Sequence, residues 1–263
     1  MARHNQTCPA LCGPLNPTFL LDTNRIEWNW IAGENGKPGL PADFDSATEA
    51  TMNITDPLVT LLGTNAASAL VSNSVEGGID VLTGAVDNDQ MILVPHEDTN
   101  ANQMHPDTLT WGSDREVVFE CSIKTPSALT TMTMVMGLTL DASPAVMSVT
   151  SPDDFMLFEF ESDTPDTTWQ IVSDVANGGP VTLDSEVPVV ASTNYHFMLV
   201  STPDQILHAY INGMEFTSVA YAANEVDLIP MIGYQSLGTN GSPSTLPLRV
   251  FGWRIGRLLS GGS

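Results

Sequence analysis

Ile206 to Val219 reads ILHAYINGMEFTSV, two apolar-rich runs joined by Asn212-Gly213. Asn-Gly is the strongest short hairpin signal, because a type I′ turn needs positive φ at both central residues and these two types tolerate it best. On the first run Leu207, Ala209 and Ile211 alternate with Ile206, His208 and Tyr210, the period-two pattern of a strand with two distinct faces. The stretch therefore predicts an antiparallel hairpin at 206–211 and 214–219.

The same pattern extends outward. Upstream lies Tyr195 to Ser201 (YHFMLVS), and before it Thr168 to Val175 (TWQIVSDV) and Asp154 to Glu161 (DFMLFEFE). In the segment at 131–140, Met132, Met134, Met136, Leu138 and Leu140 share one face, with Thr131, Thr133, Val135 and Thr139 on the other. In the segment at 117–124, Val117, Phe119, Cys121 and Ile123 oppose Val118, Glu120, Ser122 and Lys124. Leu228 to Gln235 and Leu246 to Ile255 close the chain, and Leu58 to Leu62, Ile79 to Gly84 and Gln90 to Val94 precede it. Each segment is bounded by Pro, Gly, Asn or Asp, and helical periodicity is hardly present. Roughly a dozen strands at this spacing predict an all-β, antiparallel sandwich or barrel over 58–263.

Residues 1–57 differ. They hold six of the 18 prolines, with Gly36-Lys37-Pro38-Gly39 and little sustained alternation, and are expected to form an extended N-terminal arm. Leaving Phe19, Leu20, Leu21, Ile26, Trp28, Trp30 and Ile31 in water is costly, since burying each is worth roughly 1.5–3 kcal/mol. The arm is expected to pack on its own sandwich or on a neighbouring subunit, with Phe19, Trp28 and Trp30 as interface candidates.

Eight Lys and Arg against 31 Asp and Glu give a formal charge of −23, which repels phosphate backbones and anionic lipid surfaces. Nucleic acid and membrane are excluded as expected partners. The first 30 residues contain no continuous apolar core of a secretory signal, so synthesis in a cytoplasm is expected. The glycosylation patterns at Asn5, Asn53 and Asn240 carry no weight without export. Arg249, Arg254 and Arg257 cluster in the last strand beside Phe251 and Trp253. Two readings stay open for them: pairing with the chain's own carboxylates, or contact with the acidic surface of an identical subunit.

Gly84 to Gln90 (GAVDNDQ) puts Asp87, Asn88 and Asp89 in a row between two strand-like runs. Ca²⁺ takes about six to eight oxygens, drawn from several segments, whereas Asx side chains cap their own backbone in turns. A turn is the expected reading; a Ca²⁺ site at Asp87 and Asp89, completed by a loop elsewhere, is the alternative, and no other cofactor is expected. His96 and His105 flank a polar loop that could also take a metal, though such loops usually face solvent. His196 and His208 are read as satisfied strand histidines, and Cys121 as a small buried hydrophobe. Cys8 and Cys12 supply at most two zinc ligands with no second pair at finger spacing.

Glu159 and Glu161 lie on one face of a strand, about 7 Å apart at ~3.3 Å per residue. An inverting glycosidase separates its carboxyls by about 6.5–9.5 Å, a retaining one by about 5–5.5 Å. Glu159 to Asp163 resembles in part the Glu-x-Asp-x-x-Glu strand of jelly-roll glycan hydrolases, but the second acid is Glu and no third acid sits at the required spacing. A solvent-facing strand is the expected reading. No Gly-x-Ser-x-Gly elbow or Ser, His and Asp grouping of recognisable spacing is present, and no enzyme activity is expected.

Asn194-Tyr195-His196-Phe197-Met198, followed by Ala209-Tyr210-Ile211 and Asn212-Gly213, resembles the laminin-G and concanavalin type of jelly roll. Gly77-Gly78 leading into Leu82-Thr83-Gly84-Ala85 and Asp87 to Gln90, with Gly137-Leu138-Thr139, Trp169 to Val172 and Leu228 to Gly233, resembles tailed-bacteriophage structural proteins. The resemblance runs from about Leu58 to Arg257, and its strings count by their order. It implies a non-enzymatic virion component: a head decoration or cement protein, a homotrimer on the outer capsid surface whose arm grips the major capsid protein. The alternative is a glycan-binding adhesin module on a tail or neck appendage.

Overall fold

The computed structural model describes residues 25–31, 60–66, 70–74, 76–84, 86–94, 117–139, 155–163, 166–174, 178–202, 206–220, 229–238 and 245–258. Within them lie fifteen strands and no helix: β1 (Arg25–Ile31), β2 (Thr60–Leu62), β3 (Val71–Asn73), β4 (Ile79–Val81), β5 (Gln90–Val94), β6 (Val117–Lys124), β7 (Met132–Thr139), β8 (Phe155–Glu161), β9 (Thr168–Asp174), β10 (Val181–Pro188), β11 (Asn194–Ser201), β12 (Ile206–Ile211), β13 (Met214–Ala220), β14 (Ile229–Ser236) and β15 (Leu248–Leu258). All pairings are antiparallel. Sheet A runs β13-β12-β11-β6-β15-β4-β3, and sheet B runs β10-β9-β8-β7-β14-β5-β2.

The Asn212-Gly213 hairpin forms as expected. Ile211 faces Met214, and the two turn residues take φ of 53° and 80°. The turn is also tied to the neighbouring strand: Asn212 N–H donates to the His196 carbonyl at 2.7 Å, and Asn212 Oδ1 accepts from the His196 N–H at 2.9 Å.

The inner faces meet in one apolar core. Met132, Met134, Met136, Phe158, Phe160, Trp169, Ile232 and Tyr234 of sheet B pack against Phe119, Cys121, Ile123, Tyr195, Phe197, Trp253 and Ile255 of sheet A. Trp169 and Phe158 both approach the Phe197 ring, with centroids 4.8 Å apart in each case, and so join β8 and β9 to β11. Tyr195 pins the return of the chain by donating to the Pro188 carbonyl at 2.7 Å and accepting from the Val190 N–H at 2.9 Å.

Three strands differ from the sequence expectation. β1 lies inside the segment read as an arm without sustained alternation, yet Arg25 to Ile31 pairs with Leu258 to Gly252 of the same chain. It shares an edge of β15 with β4, which pairs there only at Leu248–Val250. The alternation Ile26, Trp28, Trp30 was the missed signal. β3 and β10 were also missed. The first is three residues long; the second is an edge strand bearing Asp184, Glu186 and Pro188, interrupted by a bulge between Asp184 and Pro188. The side chains of Trp28, Trp30 and Arg257, and all of Phe19, Cys8, Cys12, His96 and His105, lie outside the described residues.

Candidate functional site

The strand bearing Glu159 and Glu161 was expected to turn that face to solvent. Instead β5 and β7 are buried at every position, and β6 and β8 at all but the last. The outer faces of both sheets thus hold enclosed polar groups, and these are where chemistry could reside.

On sheet B the outer face is built by strict alternation. Phe158 and Phe160 turn into the core, so Glu159 and Glu161 turn outward. Register aligns their neighbours in two rows. One runs Gln90, Gln235, Thr133, Glu161 across β5, β14, β7 and β8. The next runs Ile92, Gly233, Val135, Glu159, Gln170, Asp184 across six strands, from β5 to β10. Beyond these, Val94, Phe155, Leu157, Val172 and Met231 form with Ile92 and Val135 an apolar cluster separate from the main core.

Glu159 is only 7% exposed, which corrects the expectation of a solvent-facing carboxylate, and its Oε1 has no hydrogen-bond partner. Burial first, then the charges of Glu161 and Asp166, push its carboxyl up to about 7. Glu161, half-buried, is also raised, by burial and by Asp163 and Asp166. At the other end of the ladder Gln90 is 7% exposed, and its Oε1 is likewise buried without a partner. Gln170 Nε2 donates to the Thr168 carbonyl and Oγ1 at 3.2 and 3.1 Å, and Gln235 Nε2 donates to Asn88 Oδ1 at 2.8 Å.

A two-carboxylate hydrolase needs environments that drive its two pKa values apart, so that one group is acid and the other is base or nucleophile. Here burial raises both carboxyls, strongly for Glu159, to about 7, and without a like shift for the more exposed Glu161.

Val86 to Gln90 forms a braced turn. Asp87 is exposed, while Asp89 is buried, with Oδ2 accepting from the Val86 N–H at 2.9 Å and Oδ1 from Asn65 Nδ2 at 2.5 Å. Asn88 takes φ of 65°, and its N–H donates to the Ser236 carbonyl at 2.8 Å. Among the described residues no three of His, Cys, Asp and Glu are grouped to hold a metal ion.

On sheet A the arginines face carboxylates of their own chain. Arg249 Nε lies 2.7 Å from Asp80 Oδ1, and its Nη1 contacts Glu76, which also takes Lys124 Nζ at 2.9 Å. These pairs hold the exposed Glu76 carboxyl below its ordinary range, the Lys124 hydrogen bond acting most. Arg254 pairs with Glu120, both deeply buried. Beside them Ser122 Oγ lies 3.0 Å from His196 Nδ1, and burial, then Arg254, lowers the imidazole to about 4. His208 sits 2.7 Å from Glu215. Cys121 is a free, buried thiol pushed well up by burial.

A comparison of the sequence with known protein families and with curated proteins finds no match. Solved structures do resemble it. A protein of unknown function from Shewanella oneidensis MR-1 is 12% identical with a TM-score of 0.53, covering 98% of this chain and 99% of that one. Peanut lectin is 11% identical with a TM-score of 0.53, covering 90% and 99%. The Bacillus licheniformis β-glucanase is 14% identical with a TM-score of 0.51, covering 80% and 96%. The fold is a concanavalin-like jelly-roll β-sandwich, one that lectins and glycan-cleaving enzymes share.

Proposed function

We propose that this protein is a non-enzymatic virion structural protein, a decoration or cement protein on the outer surface of a tailed-phage head. The observation that carries the reading is the disposition of charge. Lys124, Arg249 and Arg254, the basic side chains described, are all paired with carboxylates of the same chain, so the excess negative charge is left to the exterior. Such a body is repelled by packaged nucleic acid and by anionic membrane, and suits an outer shell surface. The partners in this reading are the major capsid protein and two further copies of the chain, in keeping with closed cyclic symmetry as the default for homo-oligomers. Counting copies in purified virions by mass spectrometry tests it: hundreds per particle are expected, and a handful would overturn it.

A second reading, a glycan-binding adhesin on a tail or neck appendage, is favoured by one specific observation. The fold is shared with peanut lectin over nearly the whole of both chains. Retention of the protein on a glycan array is the expected result, and retention on no glycan would remove this reading.

A further inference from the structure

Each sheet ends in two strands that have a single neighbour among the described residues: β13 and β3 in sheet A, β10 and β2 in sheet B. A terminal strand presents backbone N–H and C=O groups along its open side, a template for pairing with another chain. Native proteins blunt such edges with short length, charge, Pro or bulges. Three of the four are blunted. β2 and β3 are three residues long. β10 carries Asp184, Glu186 and Pro188, all exposed, and a bulge between Asp184 and Pro188.

β13 is different. It is seven residues long, MEFTSVA, with no Pro, Lys or Arg. Its one charged residue is Glu215, which lies 2.7 Å from His208 Nδ1. The strand's irregularity sits beside the turn, between the pairs Tyr210–Glu215 and Ala209–Thr217, and from Thr217 to Ala220 the register is unbroken. At its head Met214 is 65% exposed, the most of any large apolar side chain among the described residues.

Charge selects the partner. The chain carries −23, so a second copy is repelled wherever carboxylate would meet carboxylate. Pairing β10 with β10 of another copy does that, because an antiparallel match about Ser185 sets Asp184 against Glu186. Pairing β13 with itself, antiparallel over Thr217–Ala220, apposes only Thr, Ser, Val and Ala. The two Glu215 carboxylates then fall at opposite ends of the contact, each beside its own His208. Such a match of identical strands is isologous and closes at two copies.

We infer that β13 is an interface edge at which two copies of this chain pair strand to strand, antiparallel, joining their sheets A into one. The inference goes beyond the capsid and glycan readings and rests on neither.

The full chain is followed by sedimentation equilibrium over a wide range of concentration, and by amide hydrogen exchange at both ends of that range. A monomer–dimer equilibrium is expected, with exchange at 214–220 slowing as dimer forms. Met214→Asp and Ser218→Asp each bring new charge to the contact and are expected to weaken dimerisation about tenfold or more, whereas Val181→Asp on β10 leaves it unchanged. A chain that stays monomeric at every concentration overturns the inference. So does an oligomer whose association is indifferent to both variants. Protection of 214–220 that is already complete in the monomer means that the chain covers this edge itself, and also overturns it. The capsid reading stands or falls separately, by the number of copies per virion. Should Ser218→Asp not fold, Met214→Asp, at an exposed position, decides together with exchange in wild type.

Discussion

Arg254 on β15 stands directly opposite Glu120 on β6, and their side chains form an ion pair on the enclosed outer face of sheet A. Arg254 is 5% exposed and Glu120 1%, so neither charge has bulk water to fall back on. Removing one partner of such a pair leaves an uncompensated buried charge and typically costs ~3–5 kcal/mol, whereas replacing both with apolar groups is often neutral. Arg254→Met and Glu120→Leu are each expected to destabilise by about that amount in urea denaturation. The double variant should recover most of the loss, and strictly additive losses would contradict the pairing.

His196 lies beside this pair, with Ser122 Oγ at 3.0 Å. Its folded value of about 4 lies below the ordinary 6.5, so between these values the unfolded chain binds more protons than the folded one. Stability is therefore full above about pH 6.5 and declines as pH falls toward 4, by roughly 3 kcal/mol over the window. His196→Gln is expected to remove that decline, read as melting temperature at successive pH values.

Glu159 slopes the other way. Its folded value of about 7 exceeds the ordinary 4.5, so the folded chain holds the extra proton and stability falls as pH rises through that window. Glu159→Gln, which keeps the shape without the charge, should be more stable than wild type by roughly 3 kcal/mol at pH 8 and nearly equal to it at pH 4. The two effects oppose each other between pH 4.5 and 6.5, so wild type should look flatter there than either variant.

Gly84 is required by its neighbour. A Cβ placed on it would lie 1.9 Å from Asp89 Oδ2, the oxygen that closes the turn onto the Val86 N–H. Gly84→Ala is expected to cost about 1–3 kcal/mol through this clash and the loss of Asp89's bonds. With both Asp89 oxygens engaged by Val86 and Asn65, added Ca²⁺ or a chelator should leave the melting temperature within about 1 °C.

Alternation in ILHAYINGMEFTSV and its neighbours was enough to determine the sandwich, because a period-two pattern sorts side chains onto two faces and Asn212-Gly213 admits one turn geometry. It also placed Glu159 and Glu161 together, since residues two apart on a strand cannot avoid sharing a face. What covers a face is not a local property. The outer face at Glu159 was expected to be wet, and the tertiary structure encloses it, as it does the face at Glu120. Long-range register decided the rest: it set Arg254 against Glu120, Gln170 against Glu159, and Arg25 to Ile31 against the end of β15. Those pairs join residues from about ten to over two hundred positions apart, and the alternation of one strand holds no record of which partner strand will lie beside it. Local sequence determined which residues share a face; only chain-wide packing decided which of those faces would be shut away from water with polar groups still unpaired.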